Sequence, residues 1–107
     1  MRYWKFLFSA LLVAGLAGCE AMKSGAPGIS PEMTKAAAAN GDSIEVLADG
    51  RRLLATRCTN CHSLAPIANF APAQWEANVL RMANSSGLSG PEMQAISAYL
   101  VAARESL

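Results

Sequence analysis

Residues 58–62 read Cys-Thr-Asn-Cys-His, and no other stretch narrows the possible folds so far. Cys58 and Cys61 sit three positions apart, and His62, the only histidine of the chain, follows directly. The fold must therefore bring two sulfurs and one imidazole together at a single turn. A structural zinc site needs four ligands, usually as two separated pairs, and no second pair exists here. A dithiol redox motif of this spacing belongs at a helix start in a βαβ setting, and the chain has no alternating strand pattern. A disulfide between Cys58 and Cys61 suits an exported protein but leaves His62 without a task.

Covalent haem attachment accounts for all three residues at once, because C-x-x-C-H is the motif that holds a c-type haem. Two thiols at this spacing can each form a thioether to a vinyl group on one porphyrin edge. The adjacent imidazole can then turn under the ring and present its outer nitrogen to iron. The motif thus predicts one covalent haem c on Cys58 and Cys61, with His62 as an iron ligand.

Export is written into the other end of the chain. A basic start, Met-Arg-Tyr-Trp-Lys, precedes an apolar run over Phe6 to Gly18 that is shorter than the roughly 20 residues needed to span a bilayer. It reads as a signal peptide over residues 1–18. Leu16-Ala17-Gly18-Cys19 resembles the lipobox of bacterial lipoproteins, and that resemblance implies that Cys19 is acylated and becomes the first mature residue. The plainer alternative is an ordinary secretory signal followed by an unrelated cysteine. Each methylene of an acyl chain buried in lipid contributes about 0.8 kcal/mol, so several chains hold the protein on a membrane without its crossing one. The expected location is the periplasmic side of a bacterial membrane, inner or outer. Residues 19–42 are rich in Ala, Gly, Ser and Pro and read as a tether. Within them Ser30 and Pro31 could instead open a short helix resting on the folded domain.

The apolar content of 52% overstates the core, since much of it lies in the signal. Four of the seven aromatic residues go with that segment, leaving Phe70, Trp75 and Tyr99. Small domains bury a low fraction of their surface, so three aromatics make a thin core that a large flat apolar cofactor would fill. Charge excludes one class of partner. Without Arg2 and Lys5, seven basic residues face eight acidic ones, and no basic run interleaved with aromatics exists to follow a nucleic-acid backbone.

Residues 43–107 read as the haem-binding domain, all-α, with three main helices. From Ser43, Leu47, Gly50, Leu54 and Cys58 fall on one face in steps of three and four, so a helix delivers the motif. Gly50 within it costs about 1 kcal/mol relative to Ala, which points to a backbone crossing close by. A second helix over Pro-Ala-Gln-Trp-Glu-Ala-Asn-Val-Leu-Arg-Met-Ala carries Trp75, Val79 and Met82 on one face, with Ala71 a weak N-cap. The third opens with a capping box of Ser89 and Glu92 and carries Met93, Ile96, Leu100 and Ala103 in a stripe, with Tyr99 alongside. Residues 63–70 and 84–88 read as loops.

The segments "GRRLLATRCTNCHSL", "AQWEANVLRMA" and "GLSGPEMQAISAYL" resemble the short monohaem class I cytochromes c of bacteria, over Ser43 to about Arg104. The resemblance implies a cytochrome c fold around one haem and packing of Gly50 against Tyr99. It implies His and Met as axial ligands. Met82 precedes the loop into the last helix, where the ligand of that family falls; Met93 is the runner-up, on a face that helix needs for its own packing. Met82 could also be core filler at helical spacing. Met22 and Met33 lie in the tether, and Asn84 is a weak-field substitute if no methionine binds. The resemblance also offers the Pro66 carbonyl as acceptor for the second imidazole N–H of His62, which would fix its tautomer; a plain turn proline is the alternative. With both axial positions filled, the expectation is an electron carrier and no enzyme, passing electrons between periplasmic redox proteins. A haem-based sensor with an open sixth position, or a haem-bearing anchor subunit of a dehydrogenase complex, are the competing readings.

Overall fold

The computed structural model describes residues 26–58 and 64–107, with Cys58 described in its backbone alone. Cys19, Met22, Cys61 and His62 lie outside the described residues. Among those described there are four α-helices and no strand, in the order α1 (Pro31–Ala39), α2 (Ile44–Leu53), α3 (Pro72–Ser86) and α4 (Gly90–Glu105). A π-turn, Leu54–Cys58, continues α2, and a 3-10 turn, Ile67–Asn69, precedes α3. The all-α reading therefore holds for the described residues. None of these helices is long and apolar enough to cross a membrane.

Each helix starts where its side chains satisfy the free N–H groups of a first turn. Ser30 accepts from the Met33 N–H at 3.1 Å and Pro31 takes the first position of α1. Ser43 accepts from Val46 at 3.2 Å at the head of α2, while Arg51 and Arg52 meet the negative end of its dipole. Ala71 has no oxygen to cap α3, so the helix uses half a capping box: the Gln74 side chain accepts from the Ala71 N–H at 2.8 Å. At α4 the box is complete, with Ser89 and Glu92 exchanging bonds of 3.3 and 3.0 Å.

Helix α4 is the hub. Its Ala95, Ile96, Tyr99, Leu100, Ala102 and Ala103 are buried, and α1, α2 and α3 all pack on it. Gly50 marks the tightest crossing. A Cβ there would overlap the Ala95 carbonyl oxygen and lie 2.7 Å from its carbon and 2.9 Å from the Tyr99 Cβ. Only glycine lets α2 come this close to α4.

Three expectations are corrected. The tether reading fails for residues 26–42: the alternative helix forms, and Ala26, Met33 and Ala37 join the core. Composition misled because alanine, poor in apolar area, fits a closely packed helix contact. Helix α3 runs to Ser86, into residues read as loop, because Gly87 in the left-handed region (φ 67°) supplies the stop and its N–H bonds the Ala83 carbonyl. Finally, the α-helix leading to the motif ends at Leu53. A π-turn, Leu54–Cys58, carries the chain on to the motif, and within it the Thr56 hydroxyl donates to the Arg52 carbonyl at 2.8 Å.

Candidate functional site

A cavity of about 460 Å³ opens beside the point where the chain emerges from the Cys-Thr-Asn-Cys-His motif. Its apolar wall is Leu64, Ala65, Phe70, Trp75 and Met82; Asn78, Arg81 and Ser85 complete the lining. Trp75, Asn78, Met82 and Ser85 follow one another at helical spacing, so a single face of α3 builds most of that wall.

Hydrogen bonds hold the opposite wall in place. The Trp75 indole N–H donates to the Ile67 carbonyl at 2.9 Å, and the Phe70 ring meets the Trp75 ring edge-on, with centroids 5.0 Å apart at 80°. From α4, the Arg104 guanidinium donates to the Phe70 carbonyl at 3.0 Å. Residues 64–70, directly after the motif, are thus pinned to both α3 and α4. Arg81 donates to the Asn78 side chain, keeping a cation beside the cavity.

The sequence-derived site residues separate clearly. Met82 is half-buried and on the cavity wall, and its carbonyl accepts from the Ser86 hydroxyl at 2.6 Å. Met93 is packed against the helical core and is not among the described residues lining the cavity. Met33 is buried on the inner face of α1, and Asn84 is exposed and not among the described residues lining the cavity. The Pro66 carbonyl accepts from the Asn69 N–H at 3.0 Å, which closes the 3-10 turn and leaves one oxygen lone pair for a second donor. Cys58, Cys61 and His62, the expected haem-binding residues, and Cys19 carry no described side chain. Among the described residues no three His, Cys, Asp or Glu side chains gather as a metal site.

On the other side of the motif, Arg57 ties the π-turn to the head of α4. Its guanidinium meets the Glu92 carboxylate at 3.0 Å, while the other oxygen of Glu92 accepts from the Ser89 N–H at 3.0 Å. The Glu92 carboxyl is held below its ordinary value, chiefly by the Ser89 backbone N–H, then by the Ser89 hydroxyl and by Arg57.

Sequence reasoning missed Arg81, Asn78 and the Arg57–Glu92 pair. The i, i+3, i+7 spacing of Trp75, Asn78 and Met82 was a signal for Asn78; nothing local marks Arg57 and Glu92, which are 35 positions apart. No family model matches the chain, and no characterised protein or solved structure shows significant similarity to it.

Proposed function

We propose that the chain is a membrane-tethered periplasmic electron carrier with one covalent haem, built on a cytochrome c-like arrangement of helices. The observation that carries this reading is the pairing of a C-x-x-C-H motif with an adjoining apolar cavity that has a thioether, Met82, on its wall. The residues suit such a group. The cavity lies in the range of about 300–1,000 Å³ typical of cofactor sites, its wall is aromatic and aliphatic, and Arg81 supplies a positive charge for acidic substituents.

In this reading Cys58 and Cys61 would hold the haem by thioether bonds, and His62 and Met82 would ligate its iron. When bound, the group supplies a one-electron couple, with thioether ligation favouring the ferrous state and raising the potential. The chain does the rest. Phe70, Trp75 and Leu64 exclude water from the site, and the Ile67 and Phe70 carbonyl contacts keep that wall closed. The free lone pair of the Pro66 carbonyl would accept the second imidazole N–H of His62, as the resemblance implies. With His62 and Met82 both committed to the iron, the chain would leave no position there for a substrate, and electron transfer is the proposed activity. Partners are periplasmic redox proteins that dock transiently, and acylated Cys19 keeps the domain at the membrane.

Mass spectrometry and optical spectra of protein matured in a c-type haem-competent host test this directly. The expected result is a mass increase of one haem on the peptide holding Cys58 and Cys61, with a near-infrared thioether-to-iron band in the oxidised state. Met82→Ala should abolish that band and Met93→Ala keep it. Absence of visible absorption refutes the carrier; high-spin features with rapid carbon monoxide binding would instead establish the sensor.

A further inference from the structure

The first described residues do not trail off the domain but are clasped to it. The Arg51 guanidinium donates to the Pro27 carbonyl through Nε at 3.1 Å and to the Ala26 carbonyl through Nη2 at 3.2 Å. From α4, the Tyr99 hydroxyl donates to the same Pro27 carbonyl at 2.5 Å. Ala26 is 2% exposed and Ile29 packs against the core, so both side chains and backbone of this segment are engaged. The two clasping residues stand next to the Gly50 crossing, which brings α2 and α4 close enough for Arg51 and Tyr99 to grip one carbonyl together.

We propose that this Arg51–Tyr99 clasp shortens the membrane leash and so restricts the orientation of the domain on a lipid surface. The inference rests on the reading of Cys19 as the acylated residue. From Cys19 to Ala26 there are seven residue steps, and at about 3.5 Å each the span is at most about 25 Å. A compact domain of about 80 residues is about 30 Å across. Holding the Ala26 face away from the bilayer would place that residue a full diameter above it, farther than the leash reaches. The inverted orientation is therefore forbidden, while orientations with the Ala26 face toward the lipid or to the side stay within reach. Without the clasp the next packed residue is Ile29, at about 35 Å, or Met33, at about 49 Å, and both exceed the diameter. The clasp thus decides whether the inverted orientations are open to the domain.

The test uses the lipidated holoprotein on vesicles and on supported bilayers. Gly28 has open space around it, so a nitroxide on Gly28→Cys reports the segment without displacing neighbours. Its spectrum should be that of an immobilised label, becoming mobile in the double variant Arg51→Ala/Tyr99→Phe and partly so in Arg51→Ala, which leaves Tyr99 intact should the double variant fold poorly. Polarised absorption of the haem on the supported bilayer, without the label, should depart from the isotropic ratio and move toward it when the clasp is removed. An isotropic native protein, or equal label mobility with and without Arg51, overturns the proposal. A missing acyl mass on Cys19 overturns the lipoprotein reading and the restraint with it, while normal acylation with unchanged dichroism overturns the clasp alone.

Discussion

Substituting alanine for Gly50 sets two effects of opposite sign against each other at the α2–α4 crossing. In an isolated helix the change is favourable by about 1 kcal/mol, because glycine gives up more backbone freedom than alanine. In this fold the added methyl would overlap the Ala95 carbonyl oxygen and stand 2.7 Å from the Ala95 carbon, where contacts need roughly 3.5 Å. The clashing atoms are helical backbone with no rotamer to yield, so α2 must back away from α4 by about 1 Å. A gap of that size forfeits a quarter to a half of each contact's attraction. Leu47, Leu53 and Leu54, the buried leucines of this face, are each worth about 2 kcal/mol of burial. The loss is then about 1.5–3 kcal/mol, to which the strain of overpacking adds about 1 kcal/mol. Net destabilisation is about 2 kcal/mol, a fall in Tm of about 10 °C for a domain of this size. Thermal unfolding followed by far-ultraviolet circular dichroism reads it. Gly90→Ala is the control, since nothing lies near its Cβ and helix propensity alone should hold or raise Tm. If Gly50→Ala also raised Tm, the close crossing would be refuted.

Trp75→Phe keeps the aromatic wall but leaves the buried Ile67 carbonyl without its donor, and denaturant titration should show a loss of about 1–3 kcal/mol. Glu92 has its carboxyl below the ordinary value of 4.5, so its contribution is present above that pH and is lost as pH falls through the lower folded value. Melts between pH 6 and 2 should show that loss flattened in Glu92→Gln. Tyr99 shows the opposite sign: burial pushes its hydroxyl up to about 12, so stability is complete below pH 10 and declines as pH rises from 10 through 12. An alkaline unfolding transition that is weaker in Tyr99→Phe checks it. If the proposed haem is bound, Met82→Ala and Met93→Ala, compared by redox titration, should lower its potential in the first and leave it nearly unchanged in the second.

Helix starts were the most legible part of the fold, because Ser43, Ser89 with Glu92, and Ser30 with Pro31 act on N–H groups two or three residues away. Helix ends were less so. The change from α-helix to π-turn after Leu53 carries no local mark in Leu54, Thr56 or Arg57. At the candidate site, Met82 was singled out by the resemblance to monohaem cytochromes c, and the fold puts it on the cavity wall while Met93 packs against the core. Arg81 and the Glu92–Arg57 pair gave no such sign, since long charged side chains find partners by where the backbone leads them.

By itself the amino-acid order determined the helical class, the caps, the glycine that demanded a close neighbour, and the chemistry available at residues 58–62. All of these depend on spacings within a few residues. Tertiary structure alone decided that Ala95 and Tyr99 are what Gly50 meets, that residues 26–42 pack instead of hanging free, and that Met82 and Met93 point to different environments. Those outcomes turn on the angle and depth at which helices cross, and that geometry is set by the summed shape of side chains far apart in the chain, which no local pattern carries.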